Sequence, residues 1–135
     1  MIRRSNHPKL PPPVAPFSHV VVDGDYAHLS GLLAADLPDG ARVIGDVAGE
    51  TRLVMAAIGE LLATVSLTMS DVVRVQVHLA DLDDAPTMNR AYAGFFPEGA
   101  LPARTCTESP KLHGGCRVEI TVTARRRETH RRRDR

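Results

Sequence analysis

The sequence predicts an α+β domain in which a mixed sheet of six strands carries two helices on one face. Segments of alternating apolar and polar residues, typical of strands, are interleaved with two segments whose apolar residues recur every three or four positions, which is typical of helices. A turn signal near the start joins the first two strands as a hairpin. The length of 135 residues fits a single domain.

The first two strands flank residues 23–25, which are Asp-Gly-Asp. Apolar runs at 19–22 and 26–29 lie on either side, and Asp-Gly between such runs favours a tight hairpin turn. A further turn is predicted at residues 37–40, because proline and glycine there suit turn geometry. Residues 42–45 are then predicted to form a short strand.

Two helices are predicted from their caps and apolar stripes. Asp46 suits the N-cap of the first helix, and Asp83 and Asp84 precede Pro86 at the start of the second, where acidic side chains and proline are favoured. The second helix ends before Pro97. The stripe of the first helix consists of Leu53, Val54, Ala57, Ile58, Leu61, Leu62 and Val65, and that of the second of Met88, Ala91, Tyr92 and Phe95.

Three further strands are predicted, the first opening after Asp71 and the others spanning residues 103–108 and 116–124. Alternation places one face of each strand on the core and leaves the other polar. That polar face meets either water or a cleft between subunits. In the first of these strands Val73, Val75, Val77 and Leu79 alternate with Arg74, Gln76 and His78; in the last, Cys116, Val118, Ile120 and Val122 alternate with Arg117, Glu119, Thr121 and Thr123.

The predicted domain spans residues 16–124, between two terminal segments of different character. Residues 1–15 form a proline-rich arm, since proline removes backbone donors and does not suit the middle of a sheet. Residues 125–135 contain seven arginines and are predicted to be a disordered, solvated tail. Such a tail could instead bind nucleic acid, but residues 10–124 hold fourteen acidic against seven basic side chains, which weighs against nucleic-acid binding.

Composition excludes several classes of protein. No apolar run approaches the length of a membrane span, and the polar, proline-rich start does not fit a signal peptide; we therefore expect a cytoplasmic protein with no membrane partner. Cys106 and Cys116 are expected to face each other across neighbouring strands as reduced thiols. The six histidines are scattered and the cysteines lack paired spacing, so no metal site is predicted.

The residues that could carry chemistry are Arg104, which alternates with Cys106 and Glu108, and Glu119 on the polar side of the last strand. A guanidinium binds a carboxylate through two parallel hydrogen bonds, and a glutamate can orient or deprotonate water. If the two strands are neighbours or meet across an interface, the pair would suit a small anionic substrate. Taken alone, an arginine or a glutamate on a strand is usually an ordinary surface residue.

Most of the chain, from about Pro16 to Ala124, resembles the Rid/YjgF family of small imine deaminases. The most specific part is Pro-Ala-Arg at residues 102–104, with Val-Glu-Ile beginning fourteen positions after Arg104. The similar segments are residues 15–18 (Ala-Pro-Phe-Ser), 29–31 (Leu-Ser-Gly), 71–77 (Asp-Val-Val-Arg-Val-Gln-Val), 88–97 (Met-Asn-Arg-Ala-Tyr-Ala-Gly-Phe-Phe-Pro), 102–106 (Pro-Ala-Arg-Thr-Cys), Glu108 and 118–120 (Val-Glu-Ile).

The resemblance implies a chorismate-mutase-like homotrimer with three clefts between subunits. It implies hydrolysis of 2-imino or enamine acids to 2-keto acids and ammonia, without metal or cofactor. Arg104 would bind the substrate carboxylate and Glu119 would position the hydrolytic water. The positions expected to line the cleft and bind substrate are Phe17, Ser30, Gly31, Asn89 and Cys106.

The chain departs from the family pattern at the mouth of the expected cleft. Phe17 stands where a tyrosine is usual, and Leu32 replaces the glutamine of a common Ser-Gly-Gln segment. Both changes replace a polar group by an apolar one, which predicts a more apolar pocket. They also favour an alternative hypothesis, in which the trimer binds a small carboxylate without catalysis.

Overall fold

A computed structural model of the chain describes residues 1–127, and within them a mixed sheet lies under two helices. The strand order is β1-β2-β3-β7-β5-β6, with the short β4 paired to β7 beside β3. The strands are β1 (Ile2–Ser5), β2 (Val20–Asp23), β3 (Tyr26–Leu29), β4 (Leu32–Leu33), β5 (Val72–Leu79), β6 (Ala103–Glu108) and β7 (Val118–Arg125), and the helices are α1 (Val47–Ala63) and α2 (Ala85–Ala93). The predicted α+β class is confirmed, with seven strands in place of six.

The additional strands arise where sequence patterns are weak. β1 is an exposed edge strand of the arm that pairs antiparallel with β2, and it ends before the prolines begin. β4 has two residues, too few to show an alternation. The predicted strand at residues 42–45 is wrong, because the chain there forms a single 3₁₀ turn over Gly40–Arg42 that continues to the cap of α1.

The hairpin and both helix starts form as predicted. Gly24 adopts a φ of 60°, a left-handed conformation that glycine tolerates and that the tight turn between β2 and β3 requires. The Asp46 carboxylate accepts a hydrogen bond from the Gly49 amide, which stabilises the start of α1 by about 1 kcal/mol. Pro86 occupies the first turn of α2, where the missing N–H costs nothing.

One core cluster lies between the helices and the sheet. Val75 and Val77 of β5 and Ile120 of β7 are completely buried there, together with Ile58 of α1 and Met88 of α2. Val73 does not join them and is 42% exposed, because a bulge between β5 and β7 interrupts the register next to it. Beyond the bulge, from Val75 onward, every second side chain of β5 again points to the core.

The order of strands corrects the expectation for the cysteines. β5 lies between β6 and β7 and pairs with both, so Cys106 and Cys116 do not face each other on neighbouring strands. Cys106 pairs with Val77, whereas Cys116 belongs to a small satellite cluster with Leu33 and Ala34. Both cysteines are free thiols.

The end of the described chain remains in contact with the domain. β7 runs to Arg125, one residue beyond the predicted end of the domain. The Arg126 amide donates to the Asp25 carbonyl, and the Arg127 guanidinium lies 3.0 Å from the buried Asp71 carboxylate. The rest of the predicted tail, residues 128–135, lies outside the described residues.

Candidate active site

Arg104 lies on β6, the last strand of the described sheet, on the face that carries the helices. It is paired with Val75 in the parallel ladder, and neighbours in register point to the same side. Its guanidinium carbon is 5.0 Å from the centre of the Tyr92 ring of α2. Arg104 and Asn89 line one shallow, open depression of about 540 Å³. We call this depression the arginine half-site.

The ring of Tyr92 lies between the Arg104 guanidinium and the core. Its ring is 5% exposed and lies 5.0 Å from that of Phe96, so it is held by the core. Burial raises the pKa of the Tyr92 hydroxyl, and the nearby Arg104 charge opposes that change. A cation over a tyrosine ring is attracted by about 0.5–1 kcal/mol at a partly exposed site. Tyr92 therefore restricts where Arg104 can point, while the Arg104 side chain remains exposed.

Cys106 follows two residues after Arg104 on the same face of β6. Its side chain is partly buried and packs against the main core beside Val77. Its place against the core suits a small wall residue.

Glu119 lies on β7 with its side chain on the opposite face of the sheet, where it pairs with His78. It is partly exposed. Gly31 approaches it so closely that a Cβ built there would lie 2.9 Å from Glu119 Oε2 and 3.0 Å from Thr121 Oγ1. Glycine at this position therefore leaves the Glu119 carboxylate where it is, whereas a larger residue would displace it. Gly31 and Glu119 define what we call the glutamate half-site.

Ser30 and Phe17 complete the glutamate half-site. The Ser30 hydroxyl donates to the Ser18 carbonyl at 2.7 Å, and the Ser30 amide donates to the His19 carbonyl at 3.1 Å. These bonds fasten the segment that contains Phe17 to the end of β3. Phe17 is 44% exposed and, with Ser30 and Gly31, lines a pocket of about 590 Å³ including its open mouth.

The seven predicted site residues thus divide into two groups. Asn89, Arg104 and Cys106 lie on the helix side of the sheet near its β6 edge, and Phe17, Ser30, Gly31 and Glu119 lie about the junction of β3, β4 and β7. β5 separates β6 from β7, and alternation sends Arg104 and Glu119 to opposite faces. A single chain does not bring the guanidinium and the carboxylate into one pocket.

A family model described as Endoribonuclease L-PSP, the Rid/YjgF family, matches residues 8–126, which is most of the chain. The chain belongs to the Rid/YjgF family. The resemblance inferred from the motifs is therefore confirmed, and the matched region contains all seven predicted site residues.

Named relatives of this Rid/YjgF protein include deaminases. It is 34% identical to the 2-iminobutanoate/2-iminopropanoate deaminase of Bos taurus over 86% of this chain and 84% of the relative. It is 32% identical to the 3-aminoacrylate deaminase RutC of Acinetobacter baylyi over 84% and 90%. The crystal structure of the YjgF gene product from E. coli superposes with a TM-score of 0.81 at 26% identity, over 93% of this chain and 99% of that one.

Glu50 of this Rid/YjgF chain was not identified from the sequence; its side chain on α1 binds the backbone at the start of β7, the strand that carries Glu119. The side chain is completely buried. One oxygen accepts from the amides of Arg117 and Val118 at 2.8 and 3.2 Å, and the other accepts from Gly45 at 2.8 Å. The signal was present, because Glu50 lies four residues before Val54 and therefore continues the apolar stripe of α1. A buried carboxylate at that position required backbone donors.

The polar face of the sheet carries hydrogen bonds between neighbouring strands. Arg74 donates to Thr105 Oγ1 at 2.9 Å, and His78 Nδ1 lies 2.7 Å from Thr107 Oγ1. Within residues 1–127, no group of three or more His, Cys, Asp or Glu side chains is placed to hold a metal ion. None of the helices in the described part of the chain is long and apolar enough to cross a membrane.

Proposed function

We propose that this protein hydrolyses reactive 2-imino or enamine acids to 2-keto acids and ammonia, in clefts between the subunits of a homotrimer. Each cleft would combine the arginine half-site of one subunit with the glutamate half-site of the next. Relatives named as imine and aminoacrylate deaminases support the reaction class. The substrate would be a small carboxylic acid, and neither a metal nor a cofactor is required.

The observation that carries the proposal is the division of the site between two faces of one sheet. Arg104 offers a carboxylate-binding fork on the helix face of β6, whereas Glu119 offers a carboxylate on the opposite face of β7, next to Gly31, which lines an exposed pocket. A ring of three identical chains brings two different surfaces of the subunit together at every interface. Such a ring therefore joins the two halves three times.

In the proposed reaction Arg104 binds the carboxylate of the substrate through two N–H groups. Protonation of the imine nitrogen makes the neighbouring carbon electrophilic. Glu119 orients a water molecule and accepts its proton while the oxygen forms a bond to that carbon. That proton then passes from Glu119 to nitrogen, and the C–N bond breaks as the new hydroxyl group returns its proton to Glu119. Ammonia leaves and takes up this proton as ammonium, and a 2-keto acid remains. Holding water and carbon in place can lower the barrier by several kcal/mol.

The other predicted residues would shape the cleft. Asn89 lines the arginine half-site, where its amide can hydrogen-bond the substrate, and Cys106 supplies a small wall beside it. Gly31 leaves room for the carboxylate of Glu119. Phe17 and Ser30 border the mouth, with the Ser30 hydroxyl already committed to the Ser18 carbonyl.

Arg104→Ala tests the proposal, with Arg52→Ala as a matched control. Arg52 is an exposed arginine on α1, away from both half-sites. We expect Arg104→Ala to lower kcat/KM by roughly a thousandfold or more, because a buried or partly buried charge-assisted fork contributes several kcal/mol. The assay measures 2-keto acid formed from freshly generated 2-iminopropanoate, with semicarbazide competing for the imine.

Sedimentation accompanies the assay, because the expected Arg104→Ala protein is an inactive trimer. Unchanged turnover in Arg104→Ala would contradict the role of the arginine. Binding of 2-keto acids by the wild-type chain without turnover of any imine would favour the alternative, a non-catalytic carboxylate-binding trimer, to which the apolar Phe17 and Leu32 point.

A further inference from the structure

The pocket next to Gly31 extends well beyond the groups needed to hold a carboxylate and a water. It runs from Gly31 past Phe17 to the proline-rich arm and spans about 590 Å³, open solvent at its mouth included. We call it the arm pocket. It shares Gly31 with the glutamate half-site, and a Cβ built on Gly31 would lie 2.9 Å from Glu119 Oε2. The arm pocket therefore borders the proposed reaction centre.

The walls of the arm pocket are mainly apolar. Residues 11–14 (Pro-Pro-Pro-Val) and Phe17 form one side, and Leu32 with Leu61 of α1 forms the floor. Leu32 and Leu61 are 5% and 1% exposed and belong to the main core. The floor is therefore already out of water, whereas the wall, with Val14 88% and Phe17 44% exposed, gains free energy when an apolar ligand covers it.

Two of the polar side chains that border the arm pocket accept hydrogen bonds from the backbone of the protein. His19 Nδ1 accepts a hydrogen bond from the His7 amide at 3.0 Å. The Asp36 carboxylate accepts one from the Leu33 amide at 3.2 Å. Both side chains are thus partly engaged by the protein itself, and the apolar residues named above make up most of the lining, so an apolar group is the better match for the pocket.

The arm wall is held in place before any ligand arrives. The His19 amide donates to Asn6 Oδ1 at 2.9 Å, and the Lys9 amide donates to His7 Nδ1 at 2.9 Å. β1 ties the chain before these residues to β2. Three consecutive prolines fix φ along the next segment. A rigid wall loses little entropy when it receives a ligand, which favours binding.

We propose that the arm pocket receives the side chain of the substrate, and that the protein acts on imino acids with large apolar side chains, such as those formed from leucine or phenylalanine. This inference rests on the proposed function, since it places the reacting carbon at Gly31 and Glu119. A methyl group, as in the imine from alanine, would leave the pocket filled with water.

The expected preference follows from apolar burial. One additional methylene in a fitted apolar pocket raises kcat/KM by about tenfold or more. The imine from leucine carries three more carbon atoms than the imine from alanine. We therefore expect kcat/KM for the leucine-derived imine to exceed that for the alanine-derived imine by at least about tenfold.

The experiment generates the two imines with an amino acid oxidase and measures their hydrolysis by the full-length protein. Calorimetry with the corresponding 2-keto acids, 4-methyl-2-oxopentanoate and pyruvate, gives a second readout that does not depend on turnover. Phe17→Ala removes an exposed wall residue, and Tyr26→Ala is its control because Tyr26 is an aromatic residue of equal exposure on the other end of the hairpin. The ratio of kcat/KM for the leucine-derived imine to kcat/KM for the alanine-derived imine should fall at least fivefold in Phe17→Ala and stay constant in Tyr26→Ala.

The outcomes separate this inference from the function on which it rests. Turnover that needs Arg104 but is equal for both imines, or greater for the smaller one, would overturn the arm pocket as a side-chain site and leave the deaminase proposal intact. Tight binding of the larger keto acid without any turnover would support the pocket and reject the catalysis. If the two keto acids bind equally, or neither binds, the side-chain assignment fails.

Discussion

Gly31 lies close to the Glu119 carboxylate in the candidate site, and this makes the glycine a sensitive position. An added Cβ would lie 2.9 Å from Oε2, so the carboxylate, a movable side-chain end, must shift. We predict that Gly31→Ala lowers kcat by roughly ten- to a hundredfold while changing stability little, because displacing a water-positioning group by about 1 Å is costly. Steady-state kinetics and a thermal melt measure the two effects.

Gly59→Ala is the control for Gly31→Ala. Gly59 lies within α1, and a Cβ there would meet nothing within 4 Å. Alanine at a helical position is more stable than glycine by about 1 kcal/mol, so this variant should melt higher and turn over normally. A wild-type kcat in Gly31→Ala would show that the position of Glu119 does not control the reaction.

At the scale of elements, α1 is joined to the start of β7 by the buried carboxylate of Glu50. Glu50→Ala would leave the amides of Gly45, Arg117 and Val118 without their acceptor. We predict a loss of about 3 kcal/mol, as is usual when one member of a buried charged network is removed. Thermal melts at one fixed protein concentration measure it. Glu60→Ala, on the same helix with a 65% exposed side chain, should change the stability by less than about 0.5 kcal/mol.

The N-terminal arm is joined to β2 by His19, and this contact should depend on pH. Burial lowers the pKa of His19 below its ordinary value of 6.5, the charge of His7 lowers it further, and Asp36 opposes them. Glu60 lies 3.9 Å from His7. The neutral ring is the form that accepts the His7 amide, so the stabilisation is complete above the unfolded pKa and is lost as the pH falls below about 6.5.

Hydrogen exchange of the His7 amide between pH 7.5 and 5 measures the release of the arm. Protection should fall faster with decreasing pH than it does at core amides, after correction for intrinsic exchange. His19→Gln keeps an acceptor but cannot titrate, and it should remove the additional pH dependence. If the protection of the His7 amide depends on pH equally little in both proteins, His19 does not control the release of the arm.

The elements that sequence patterns predicted are those whose signals are local. Asp46 and Pro86 mark helix starts through their own hydrogen-bonding chemistry, and the Asp-Gly pair marks the hairpin. The bulge at Val73 and the position of β5 between β6 and β7 depend on pairing between distant segments, which no local pattern contains. Because of that pairing, Cys106 and Cys116 lie apart. For the same reason, Arg104 and Glu119 could line one pocket only where two chains meet.

For the whole molecule, the division of the site between two faces predicts complementation between inactive variants. In a mixed trimer of Arg104→Ala and Glu119→Gln chains, some clefts would take Arg104 from one variant and Glu119 from the other. Random assembly of equal amounts places both intact residues in about one quarter of the clefts, since each interface joins two different surfaces. Co-refolding the two proteins should therefore restore about a quarter of the wild-type activity.

Mixing Arg104→Ala with Asn89→Ala is the matched control for complementation. Both residues belong to the arginine half-site, so every cleft in that mixture lacks one of them and activity should stay at the level of the separate variants. If Arg104 and Glu119 acted within one chain, the first mixture would also remain inactive. Recovery in the first mixture and its absence in the second would identify the interface between subunits as the place of reaction, whichever side chain the substrate carries.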